Sequence, residues 1–103
     1  MRLVWHEDKR MSNLDKHGLD FVDAVWVLDS PIRLDIASER NRESRVQSFA
    51  YVFEVLAVLT LLYVSYDEGF RIISFRRASS EEEAAYHGWL ENNFDDDEGG
   101  ARS

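Results

Sequence analysis

The 103-residue chain has no cysteine. That excludes disulfides and thiolate chemistry and fits a reducing compartment. It has one proline and five glycines, and no glycine-rich loop able to cradle a phosphate. Its histidines, His6, His17 and His87, lack a metal-ligand spacing, so no metal and no other cofactor is expected. No Ser/His/Asp order stands out. The opening MRLVWHEDKR lacks the apolar stretch of a secretory signal. The one membrane suspect, Phe49 to Val64, is 16 residues long and contains Glu54. A spanning helix needs about 20 apolar residues. We therefore expect core at this run, no membrane contact and a cytoplasmic location.

What is present describes a folded domain. Hydrophobic residues make up 45% and aromatics 13%, enough for one core in a chain of this length. The net charge of -8 is unevenly placed. Residues 1–80 hold 11 Lys+Arg against 12 Asp+Glu, while residues 81–103 hold one against eight. The body can therefore carry a basic patch. We expect one domain over 1–94 and an acidic flexible tail over 95–103. That tail is either solvated or a nucleic-acid mimic that shields the basic face.

Arg2–Trp5 reads as a short first strand. His6–Gly18 carries acids early, Lys16 and His17 late and a glycine stop, which are helix signals. Asp20 can cap a second short helix that Pro31 ends. Ile32–Ser44 is polar and reads as a long loop, either solvated or touching an anionic partner through its arginines. Arg45–Phe53 and Leu56–Tyr66 are strand-like. The linker at Glu54–Val55 has no turn residue, so one buried helix across this region stays open. Asp67–Gly69 is a turn. Phe70–Arg77 is the last strand. Ser79 or Ser80 caps a final helix opening with Glu81, Glu82 and Glu83. The order β-α-α-β-β-β-α gives an α+β domain with a small antiparallel sheet packed against helices.

Alternation on the last strand puts Arg71 and Arg77 on one face with Phe75 between them, and Arg76 on the other. Arg71 and Arg77 can bind phosphate through their planar forks. They can equally pair with Glu81–Glu83. Lys16 and His17 are either proton-transfer groups or helix-end cations. Tyr86 is either a phosphate donor or a packed aromatic.

Three segments carry a resemblance. They are Asn13–Phe21 (NLDKHGLDF), with Trp5 and Lys9 ahead of it, then Phe70–Ser79 (FRIISFRRAS), then Glu82 with Tyr86. Together, over roughly residues 3 to 88, they resemble the BrnT family of type II toxin–antitoxin toxins. The resemblance implies a RelE-like fold and a small metal-independent endoribonuclease that inhibits translation. It implies Lys16, His17, Arg71, Arg77 and Tyr86 as catalytic residues, with Lys9 and Arg76 contacting RNA; Phe75, where the family pattern has a small residue, either blocks that site or stacks on a base as a substrate contact. It also implies a BrnA-like ribbon-helix-helix antitoxin as partner, with operator DNA bound only through that antitoxin. The chain departs from the family pattern at His6, at Phe75 and in the acidic run Glu81–Glu83. Those departures favour an alternative, a binding module that keeps its antitoxin and operon co-repression without cleaving RNA.

Overall fold

A computed structural model describes residues 2–95. The acidic segment expected over 95–103 lies outside the described residues except for Asp95, which closes the last helical turn. The elements are β1 (Arg2–Val4), α1 (Glu7–His17), a 3₁₀ turn (Phe21–Ala24), α2 (Val25–Leu28), β2 (Leu34–Arg40), β3 (Glu43–Val52), β4 (Ala57–Tyr66), β5 (Gly69–Arg77) and α3 (Ser80–Leu90), which runs into a π-helical turn (Glu91–Asp95). The sheet order is β1-β5-β4-β3-β2. β1 runs parallel to β5 and every other pairing is antiparallel. This is the expected α+β class, compatible with a small RelE-like toxin, with a sheet that is mixed rather than purely antiparallel. No described helix is long and apolar enough to cross a membrane.

Local chemistry sets the helix ends. Glu7 and Asp8 open α1, and Lys16 and His17 close it, each matching the helix dipole. Gly18 adopts φ 72° and returns its N–H to the Leu14 carbonyl at 2.8 Å, a left-handed stop that glycine makes without strain. The Asp20 carboxylate accepts the Val22 N–H at the start of the 3₁₀ turn. At α3, Ser79 and Glu82 form a reciprocal capping box.

Two connections differ from expectation. Residues 34–40, expected as loop, form edge strand β2, paired with β3 from Leu34↔Phe49 to Arg40↔Glu43. Asn41 and Arg42 turn the hairpin with φ of 52° and 64°, the two positive angles of a tight hairpin turn. β2 is exposed along most of its length, so it carries no apolar alternation to read. The β3–β4 hairpin also forms, over Phe53–Leu56, with Leu56 itself at φ 53°. A non-glycine residue there costs roughly 1–2 kcal/mol.

The two sheet faces are covered differently. On one, Leu19–Leu28 packs on Ala50, Leu59, Leu61, Ile72 and Phe75 to form the main core. On the other, α3 seats Tyr86 against Phe49 and Val58 and leaves the rest of that face open. Helix α1 lies along β5 beyond the end of β1. Buried Asn13 holds it there. Its amide donates to the carbonyls of Phe75 (2.7 Å) and Leu19 (2.9 Å) and accepts the Phe75 N–H at 3.1 Å. At the opposite end of β5, Gly69 admits β1. A Cβ there would sit 2.0 Å from the Arg2 carbonyl oxygen.

Asn13→Ala would leave the buried N–H and C=O of Phe75 without partners. It should cost about 3 kcal/mol, measured by urea unfolding. Asn93→Ala, which removes an exposed local bond to the Trp89 carbonyl, should change stability by less than about 0.5 kcal/mol.

Candidate nucleic-acid interface

The geometry of β5 decides which side chains meet. Leu62 pairs with Ser74 and Tyr63 with Ile72, so Ile73 is an extra residue without a partner on β4. This one-residue bulge inverts the alternation of side chains along the strand. Ile72 and Phe75, three apart, both enter the main core. Thr60 faces Arg76 across the ladder, and Val64 faces Arg71. Arg71, Ser74 and Arg76 therefore share the open face, and Arg77 emerges on the opposite side with Phe75.

This corrects the expected pairing of Arg71 with Arg77. It also removes Phe75 from the substrate face, because its side chain is fully buried. Phe75 neither blocks an anion site nor stacks on a base. Phe75 is part of the main core packing. Tyr86 is corrected as well. It is 2% exposed, and its hydroxyl donates to the Ile32 carbonyl at 2.9 Å, so it is packed away from the α1–β5 surface with its hydroxyl engaged.

The remaining cations converge on the bulge. Lys9, Lys16 and His17 line a hollow of about 190 Å³ with Ser12, Asn13, Ile73 and Ser74. A second hollow of about 140 Å³ is lined by His6, Lys9, Arg45, Arg71, Ile72 and Ile73. The two share Lys9 and Ile73, so they read as one shallow surface across α1, β3 and β5. Spacing on the helix explains the α1 contribution. Lys9, Asn13 and Lys16 recur at four and three residues, one helical stripe, so the clamp that fixes Asn13 also aims both lysines. Arg45 and the bulge had not been singled out from sequence for this site. The sequence places Arg45 at the start of a strand, but the face it takes is set by the register of β3 against β2 and β4. Nothing in the run Ile72-Ile73 marks a bulge.

Carboxylates already engage part of this charge. Glu43 accepts from Arg71 at 2.5 Å and from Arg45 at 3.2 Å, and the Arg71 hydrogen bond is the main reason its carboxyl is held below the usual range. Glu82 receives two bonds from Arg76, at 2.8 and 3.0 Å. It also accepts the Ser79 N–H at 2.8 Å and a longer bond from the Gln47 amide at 3.3 Å. The Arg76 bond comes first in lowering its pKa to about 2. The acidic start of α3 is thus tied to the cap and to Arg76. No group of three or more potential metal ligands occurs among the described residues.

A family model described as "Ribonuclease toxin, BrnT, of type II toxin-antitoxin system" matches residues 5–82. The match spans most of the chain, and the chain belongs to that family of type II toxin–antitoxin ribonuclease toxins, whose members have an antitoxin partner. A search of curated proteins found no match.

Two outcomes follow from these contacts. Glu82 titrates lower in the folded chain than its ordinary 4.5. Its stabilisation is therefore complete above that value and is lost as pH falls toward about 2. With allowance for partial exposure, the wild type should lose about 1–2 kcal/mol more than Glu82→Gln between about pH 6 and about pH 3, read by denaturant unfolding. Phe75→Ala should cost about 3–5 kcal/mol, as truncation of a core aromatic does, on the same measurement.

Proposed function

We propose that this BrnT-family chain is a metal-independent endoribonuclease that cuts RNA at the α1–β5 surface and so inhibits translation. The supporting observation is the convergence of Lys9, Lys16, His17, Arg45 and Arg71 on the open face beside the bulge. RNA carries its own nucleophile, the 2′-hydroxyl. Attack on the adjacent phosphorus breaks the bond to the 5′-oxygen and leaves a 2′,3′-cyclic phosphate and a 5′-hydroxyl. A base must take the 2′-hydroxyl proton, an acid must protonate the leaving oxygen, and cations must offset the charge of the five-coordinate state. Lys16 and His17 are adjacent proton-transfer candidates at the end of α1. Lys9, Arg45 and Arg71 supply the charge, with Arg71 able to bind two oxygens. Phosphate binding would require Arg71 and Arg45 to exchange Glu43 for the substrate.

In this reading the antitoxin is of the BrnA-like ribbon-helix-helix type, operator DNA is reached only through it, and the pair acts in the cytoplasm. A second reading is supported by the hold of Glu43 on both Arg71 and Arg45. Where RNA phosphate fails to displace Glu43, the chain binds its antitoxin and co-represses the operon without cleaving RNA.

Purified protein incubated with single-stranded RNA in the presence of a chelator should yield cyclic-phosphate ends. Arg71→Ala and Lys16→Ala should each slow cleavage about 10²–10³-fold, and Arg77→Ala, on the opposite face, by no more than about twofold. Intact RNA from the folded wild type would select the second reading. Equal loss in Arg77→Ala and Arg71→Ala would remove this surface from the mechanism.

A further inference from the structure

The end of the sheet remote from the cationic surface carries a different feature. At the tip of the β3–β4 hairpin Phe53 is 78% exposed and Leu56 72% exposed. Leu56 holds its side chain outward from a left-handed backbone without a glycine, and strain of this kind concentrates at functional positions. Beneath the tip lie two contiguous hollows of about 340 and about 290 Å³ that share Ser30, Pro31, Tyr51 and Phe53. The first continues over Val25 and Trp26, the second over Ile32 and Leu90. Their walls are largely apolar, and with Phe53 and Leu56 exposed at the rim they form a concave apolar surface that a partner's side chains could fill.

The Asp and Glu side chains lining the groove sit at one end of it, and His87 lines the other. Asp29 and Glu54 form part of its wall. Burial, with smaller contributions from Asp20 and Glu54, pushes the nearby Asp23 carboxyl up. The cations of the nucleic-acid surface lie along the sheet from it. Ala57, at the hairpin, and Val64, opposite Arg71, are seven residues apart on β4, roughly 23 Å at strand spacing.

We propose that this groove anchors the antitoxin through an amphipathic segment that places large apolar side chains against Pro31, Tyr51 and Phe53 and lysines or arginines against Asp29 and Glu54. The inference rests on the toxin–antitoxin reading and adds where the partner is held. Helix-in-groove docking of this sort takes its affinity from a few apolar anchors, while charges set orientation and rate. The anchor is separate from the RNA surface, so a partner held here closes that surface with another part of its chain. Loss of anchoring and loss of cleavage are therefore separable.

The test uses the full chain co-expressed with its cognate antitoxin. Two variants report on the groove: the double substitution Phe53→Ser with Leu56→Gly, and the double substitution Asp29→Lys with Glu54→Lys. The first also relieves the left-handed strain at residue 56, so folding is preserved, as thermal unfolding will verify. Each should weaken the purified complex at least about tenfold by titration calorimetry, while RNA cleavage by the free protein changes by less than about twofold. Arg71→Ala should do the reverse. Undiminished antitoxin binding by both groove variants would overturn the proposal. So would a dimer of the chain alone that Phe53→Ser with Leu56→Gly disperses, since the groove would then seat a second copy. If the wild type leaves RNA intact, the catalytic reading fails, and the calorimetry still decides the groove.

Discussion

The three hydrogen bonds of Asn13 are the contact on which the α1–β5 surface depends. β5 needs a partner on its outer edge beyond the reach of β1, and a buried strand edge cannot leave N–H and C=O groups unpaired. A second strand would satisfy them and add only more sheet. A helix satisfies them with one side-chain amide and brings its polar stripe to the same spot. Lys9 and Lys16 stand on that stripe, and His17 follows at the helix end. The amide thus fixes the distance between three helix-borne groups and the sheet.

The bulge at Ile73 completes the arrangement from the sheet side. Without it Arg71 and Arg77 would share a face and Phe75 would stand between them. With it Phe75 enters the core, Arg71 joins Ser74 on the open face, and Arg77 leaves. Asn13 binds the backbone of Phe75, two residues after the bulge. The clamp and the inversion therefore support each other, since Phe75 must be held in the core-facing register for its peptide groups to meet α1. The acidic start of α3 does not cancel this surface. Glu82 is committed to Arg76 and to the Ser79 cap, and Glu43 is the carboxylate that meets Arg71.

Features written in local chemistry were legible in the sequence. The α1 stop at Gly18, the Asp20 cap, the turn at Asp67–Gly69 and the Ser79 cap need only residues within a turn of one another. The family resemblance extended this to the ribonuclease toxin class. What the sequence concealed depends on pairing. β2 has one sheet neighbour and two exposed faces, so its residues lack the alternation that reveals a strand. The β3–β4 turn uses Leu56 where glycine or asparagine would have announced it. The bulge depends on the register against β4, and two adjacent isoleucines give no sign of it. Asn13 reads as one more polar residue on a solvated helix, although it is the buried one.

The central claim is that clamp and bulge together assemble an RNA surface from Lys9, Lys16, His17, Arg45 and Arg71. Titration of isotope-labelled protein with a short RNA carrying a 2′-deoxy substitution, which binds without being cut, measures this directly by amide shifts. The account predicts shifts at Lys9, Ser12, Lys16, His17, Arg71, Ile73 and Ser74 that fade as salt is raised, because phosphate contacts release counterions. Shifts clustered instead around Arg77 and the main-core face, with α1 unchanged, would contradict it.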